Sequence, residues 1–105
     1  MQWLFIVKLN RPDMLKSGPT QAESESVGRH FTYWQKLVER EVALVVGRTQ
    51  TTDALTIGLA IFRTETEAEA RQIAEADPAV TDGVFRMELR PYKVALLGNP
   101  APFKP

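Results

Sequence analysis

The sequence has no cysteine and a single histidine, His30. Without cysteine it forms no disulfide and offers no thiol nucleophile and no thiolate metal ligand. One imidazole also excludes a metal centre made of several histidines from one chain. A glycine-rich phosphate-binding loop is missing as well, so we expect neither a metal nor a bound cofactor.

An excess of either charge is also absent, because 13 Lys and Arg residues balance 13 Asp and Glu residues. Such a chain has no net field that attracts nucleic acid or an anionic membrane. The apolar run at residues 3–7 is too short for the core of a signal peptide or for a bilayer span. We therefore expect a cytoplasmic protein with no nucleic-acid partner and no membrane partner.

What the sequence does contain is a regular succession of strand and helix patterns within one domain of 105 residues. Strands are predicted near residues 2–9, 42–49, 56–63 and 84–93, and helices near residues 20–40 and 65–76. Thr20 and Glu23 form a capping box that opens the first helix. Either Thr64 or Thr66 opens the second helix, which Pro78 brings to an end.

Two segments lack a helix or strand pattern. Residues 10–19 contain two prolines and a glycine and are predicted to be a loop, and long loops often carry function. The proline-rich residues 97–105 are predicted to be an extended tail. The folded domain is therefore expected to occupy residues 1–96.

The order β-α-β-β-α-β predicts an α+β, ferredoxin-like fold, with a four-stranded antiparallel sheet and both helices on one face. The first and third strands are apolar on both faces, yet two helices cover only one of them. We therefore predict that a second copy of the sheet covers the open face, which makes a homodimer. A heterodimer remains the alternative.

His30 lies within the apolar stripe of the first helix, and the pattern predicts that this stripe is buried. The apolar residues of the stripe are Val27, Phe31, Trp34, Leu37 and Val38. Asp77 lies at the end of the second helix. Helices packed on the same sheet face are about 8–10 Å apart, so we expect the two side chains to meet. Two interpretations are open: an acid–base pair, or a core histidine whose polar atoms a buried carboxylate satisfies.

Several segments together resemble the YCII-related family. They are the Arg-Pro-Asp-Met of residues 11–14, the Gly-Arg-His-Phe of residues 28–31 with Tyr33 after it, and residues 69–71, 76–80, 83–84 and 91–94. The resemblance implies a dimeric α+β barrel whose active-site pair maps onto His30 and Asp77. A glycine that the family pattern places before the second strand is replaced here by Arg40-Glu41-Val42.

The resemblance also implies a function. The family is linked to small aromatic or lactone-like compounds, so we expect a cofactor-free acid–base enzyme of the isomerase, lyase or dehydrohalogenase type. His30 and Asp77 are the expected catalytic residues, and Arg11, Asp13 and Tyr33 the expected substrate-binding residues. The alternative is a module of the same dimeric fold that binds a small metabolite, or serves in assembly, without catalysis.

Overall fold

A computed structural model describes the whole chain, residues 1–105. Four strands form one sheet: β1 (Gln2–Leu9), β2 (Ala43–Arg48), β3 (Ile57–Arg63) and β4 (Phe85–Tyr92). Three helices accompany them: α1 (Gln21–Glu39), α2 (Glu67–Glu75) and α3 (Pro78–Thr81). The strand order is β2-β3-β1-β4 with every neighbouring pair antiparallel, so the predicted α+β, ferredoxin-like fold is confirmed.

The alternation of β1 sorts its side chains onto two faces of the sheet. Trp3, Phe5 and Val7 are buried under the helices, and the register places Phe62 and Ala60 of β3 beside the first two. These residues form one core with buried side chains of all three helices: Trp34, Leu37, Ala70, Ala74 and Ala79. The core therefore lies between one sheet face and the helices.

Helix α1 begins as its sequence predicts. The Glu23 N–H donates to Thr20 Oγ1 over 3.1 Å, and the Thr20 N–H donates to Glu23 Oε1 over 2.8 Å. Both bonds of the capping box are therefore present. They fix the point at which α1 starts, and with it the position of His30 along the helix.

The end of α1 contains a backbone conformation that is unusual for its residue. Glu41 has φ = 60°, in the left-handed region that favours glycine. The N–H groups of Glu41 and Val42 donate to the carbonyls of Val38 and Leu37, the bonding pattern of a Schellman cap. The turn thus keeps the geometry of a glycine cap although the glycine is replaced.

The prediction of the buried stripe of α1 is wrong at two positions. Phe31 is 67% exposed and Val38 is 44% exposed, whereas Trp34 and Leu37 are buried as predicted. Phe31 lines a cavity rather than joining the core. Ser26 is buried instead, because its hydroxyl donates to Asp82 across the α1–α3 contact.

Three segments outside the predicted elements contain short helical turns. A 3-10 turn, Pro12–Leu15, lies in the predicted loop and buries Met14, and a second one, Ala101–Phe103, interrupts the tail that was expected to be extended. Helix α2 ends before Pro78 as predicted, and the short helix α3, which was not predicted, starts there. None of the helices has the length and apolar character needed to cross a membrane.

Candidate active site

Asp77 lies between α2 and α3, where it caps the second of these helices. Its Oδ1 accepts a hydrogen bond from the Ala79 N–H over 2.9 Å, and Pro78 occupies the first helical position. Both residue types are favoured at a helix start. A carboxylate that is out of place at the end of α2 is therefore well placed at the start of α3.

The second carboxylate oxygen of Asp77 joins α3 to α1. Its Oδ2 lies 2.6 Å from His30 Nδ1 and accepts a bond from Trp34 Nε1 over 2.8 Å. His30 and Trp34 are four residues apart, so they project from the same face of α1. Asp77 has no exposed surface, and these contacts satisfy both of its oxygens. The carboxylate is thereby held in one position against the imidazole.

The orientation of the imidazole is set from two sides. Asp77 holds Nδ1, and the ring meets the face of Phe85 edge-on, with 5.0 Å between centroids and 89° between planes. An ionised carboxylate accepts a hydrogen bond from an Nδ1–H group, and this tautomer leaves Nε2 as the basic nitrogen. The His30 side chain is 18% exposed and lines a cavity, so Nε2 is the ring nitrogen available to a ligand.

That cavity has a volume of about 460 Å³ and lies between α1 and the helix-facing side of the sheet. Twelve of its 18 lining residues are hydrophobic, among them Phe5, Val7, Met14, Val27, Phe31 and Trp34. Its ionisable lining residues are Lys8, His30 and Arg48, and none of the lining residues is acidic. Its size and its mostly apolar wall are typical of a small-molecule site.

Arg11 and Asp13 do not line the His30 cavity. The Arg11 guanidinium donates twice to Glu23, over 2.9 Å and 2.5 Å, and this pairing lowers the pKa of Glu23 to about 2. The side chain of Asp13 is exposed. The loop reaches the cavity through Met14 and Leu15 instead, so its apolar residues rather than its charged ones contact that space.

Tyr33 lies away from the cavity, between α1 and α2. Its hydroxyl donates to the carbonyl of Ile73 over 2.7 Å, and partial burial, together with the charge of Asp77, raises the pKa of the phenol. The structure therefore brings together His30 and Asp77 among the five predicted site residues, and leaves Arg11, Asp13 and Tyr33 outside their cavity.

Sequence reasoning missed three residues that shape the site: Trp34, Phe85 and Arg48. Trp34 has a local signal, because it follows His30 by four residues and carries a buried donor. Phe85 and Arg48 come from β4 and β2, and no spacing along the chain relates them to His30. Only the strand order brings them to the cavity.

Comparison with known proteins gives one family and one informative structure. The model of the YCII-related domain matches residues 1–93. A solved structure of 5-chloro-2-hydroxyhydroquinone dehydrochlorinase from Burkholderia phenoliruptrix AC1100, in complex with 2,5-dihydroxybenzoquinone, is similar with a TM-score of 0.64. The two sequences are 23% identical, and the similarity covers 89% of this chain and 94% of the other. No curated protein matches the sequence significantly.

Proposed function

The chain belongs to the YCII-related domain family, and we propose that it is an acid–base enzyme that moves a proton on a small cyclic compound. One observation carries the proposal: the His30 imidazole is bonded through Nδ1 to a fully buried carboxylate and lines an apolar cavity with its other side. A base oriented in this way is the arrangement that proton abstraction requires.

In the proposed reaction His30 Nε2 removes a proton from a saturated ring carbon next to a carbonyl group, a carbon that a hydroxylated aromatic ring presents in its keto form. The electron pair of the broken C–H bond forms a double bond and moves charge onto the carbonyl oxygen or expels a leaving group. In an isomerisation the imidazolium returns the proton to another carbon; in an elimination the leaving group departs with the electron pair. Asp77 stabilises the imidazolium in both cases and holds the ring in place.

The choice of reaction class rests on which groups reach the cavity. Serine chemistry is not favoured, because no serine lines the cavity. The substrate class we propose, aromatic or lactone-like, is the one that the family resemblance implies, and the mostly apolar wall of the cavity suits it. The similar fold of a dehydrochlorinase that acts on a chlorinated hydroxyhydroquinone supports this proposal.

One observation favours the second candidate, a metabolite-binding module without catalysis. Asp77 also accepts bonds from Trp34 Nε1 and from the Ala79 N–H, which are structural contacts of a kind that many buried carboxylates make. In that case His30 is a binding group rather than a base. The two candidates share the cavity and differ only in whether a proton is transferred.

We further propose that the protein is a homodimer. Leu4 and Ile6 of β1 pair in register with Ile61 and Leu59 of β3 on the sheet face away from the helices, where all four are only half-buried in a single chain. Covering this apolar face with a second copy is favourable at roughly 25 cal/mol per Å². Sedimentation analysis at micromolar concentration tests it, and a monomer there contradicts it.

A proton-transfer assay tests the catalytic proposal. We suggest two readouts: chloride release from 5-chloro-2-hydroxyhydroquinone, and loss of ring C–H signals in deuterated water for a panel of hydroxyquinones and unsaturated lactones. Wild type is compared with His30→Gln and with Arg71→Gln, a control on the exposed side of α2. We expect turnover in wild type and in the control but not in His30→Gln. Binding without turnover in all three proteins would favour the non-catalytic module.

A further inference from the structure

Three basic residues line the cavity, and the partners of their side chains differ. Lys8 faces Glu88 at 3.6 Å, and His30 is bonded to Asp77. Arg48 forms no ion pair with any carboxylate of the chain, and its one hydrogen bond is a long contact of 3.5 Å to the adjacent Thr49 carbonyl. Arg48, an exposed residue that lines a ligand-sized cavity, thus lacks the anionic partner that its charge favours.

The other arginines near the sheet are engaged differently. Arg86 donates to the Leu9 carbonyl over 2.9 Å, and Arg90 pairs with Glu88. Arg11 and Arg29 pair with Glu23 and Asp82. Arg48 therefore stands apart from them, because it borders the His30 cavity and pairs with no carboxylate.

The register of the sheet explains why Arg48 reaches this cavity. Arg48 is paired with Gly58, which is paired on its other side with the buried Val7, so all three positions belong to the helix-facing side. A Cβ on Gly58 would come within 2.9 Å of Val7 Cγ2. Because glycine occupies this position, no side chain fills the floor between Arg48 and Val7.

From these observations we propose that Arg48 is a specificity-determining residue that binds an anionic substituent on the ring of the substrate. The ligand class is a planar or nearly planar ring that carries a carboxylate or an ionised hydroxyl group. The apolar wall contacts the ring, and the guanidinium, with its fork of donors, pairs with the anion. Since none of the lining residues is acidic, nothing in the cavity repels that anion.

This inference rests on the proposed function, because it assigns the substrate class of the same cavity. The two proposals nevertheless require different properties of the protein. The assignment of Arg48 concerns binding and needs no proton transfer, whereas the acid–base proposal needs His30 to act as a base. Binding measurements and turnover measurements therefore test the two separately.

A matched pair of ligands tests the inference. The dissociation constants of 2,5-dihydroxybenzoate and of its neutral counterpart 2,5-dihydroxybenzamide are measured by calorimetry, with the NMR signals of the lone histidine reporting the site. Wild type is compared with Arg48→Gln and Arg48→Lys. Arg71→Gln removes an exposed positive charge outside the cavity and controls for net charge.

We expect wild type and Arg71→Gln to bind the anion about tenfold more tightly than the amide, as one charge-assisted contact provides. Arg48→Gln should lose this preference and keep its affinity for the amide, and Arg48→Lys should keep part of the preference. An undiminished preference in Arg48→Gln, equal affinities in wild type, or no binding of either ring would overturn the inference. If the preference depends on Arg48 but no proton transfer is detected, the acid–base proposal fails and the assignment of Arg48 holds.

Discussion

The Arg11–Glu23 pair and the His30–Asp77 pair both attach other parts of the chain to α1, and they differ in burial. Arg11 and Glu23 meet at the start of the helix, where both side chains contact water. His30 and Asp77 meet farther along it, where the carboxylate has no exposed surface. The exposed pair supports a loop and a helix cap, whereas the buried pair is surrounded by a core and opens on a cavity.

The difference shows how burial changes the contribution of such a pair to stability. In water the attraction between two charges is weak and screened, and such pairs contribute little to stability. In the interior, removal of one partner leaves the other as a buried polar group without a hydrogen bond, and this lowers the stability of the fold. Burial therefore makes the geometry of His30 and Asp77 more rigid, and a rigid geometry is what a general base requires.

The largest effect on stability is expected at Asp77. Asp77→Ala removes the acceptor of three donors, the His30 imidazole, the Trp34 indole and the Ala79 amide. We expect the free energy of unfolding to fall by about 3–5 kcal/mol, measured by urea denaturation. Asp77→Asn keeps an acceptor oxygen and serves as the control, with a smaller loss. A loss below about 1 kcal/mol in Asp77→Ala would contradict the structural importance of this carboxylate.

His30→Gln separates the stability of the buried pair from its chemistry. The side chain is partly exposed, and glutamine retains a donor for Asp77, so we expect the free energy of unfolding to change by about 1 kcal/mol or less. Activity, in contrast, should fall by about 10²–10⁴-fold, the usual contribution of a general base. If turnover persists in this variant, His30 is not the base.

Glu41→Gly tests how much the backbone conformation of an exposed residue contributes to stability where no ion pair is lost. A left-handed conformation costs a non-glycine residue about 1–2 kcal/mol, and the Glu41 side chain makes no ion pair. We therefore expect the substitution to raise the free energy of unfolding by about 1 kcal/mol. The greater flexibility of glycine in the unfolded chain reduces this gain. Thermal unfolding measures the change, with Glu39→Gly inside α1 as a control that should destabilise.

The smallest effect is expected at the exposed pair, and it depends on pH. Arg11 lowers the pKa of Glu23 from 4.5 to about 2, so the folded state favours the ionised carboxylate. This stabilisation is fully present above pH 4.5 and disappears as the pH falls towards 2. The stability of wild type relative to Glu23→Gln should therefore decrease over that interval. A difference independent of pH would contradict the lowered pKa of Glu23.

Much of the fold could be predicted because its signals are local. The capping box of Thr20 and Glu23 involves residues three apart, and strand alternation is visible within a few positions. Asp77 was found for a similar reason, since a carboxylate before Pro78 is conspicuous. The role of Asp77 as the cap of α3 was not predicted. A proline can end one helix or start the next, and an Asp-Pro pair alone does not distinguish the two.

The sequence by itself determined the order of the four strands and two long helices, the start of α1, and the two residues expected to meet at a site. The tertiary structure alone decided that Tyr33 bonds to α2, that Phe31 stays exposed beside a cavity, and that Arg48 borders the same cavity as His30. The physical reason is distance along the chain. Helix caps and periodicity depend on neighbours within a few residues, whereas the lining of a cavity depends on which strands pair and in which register.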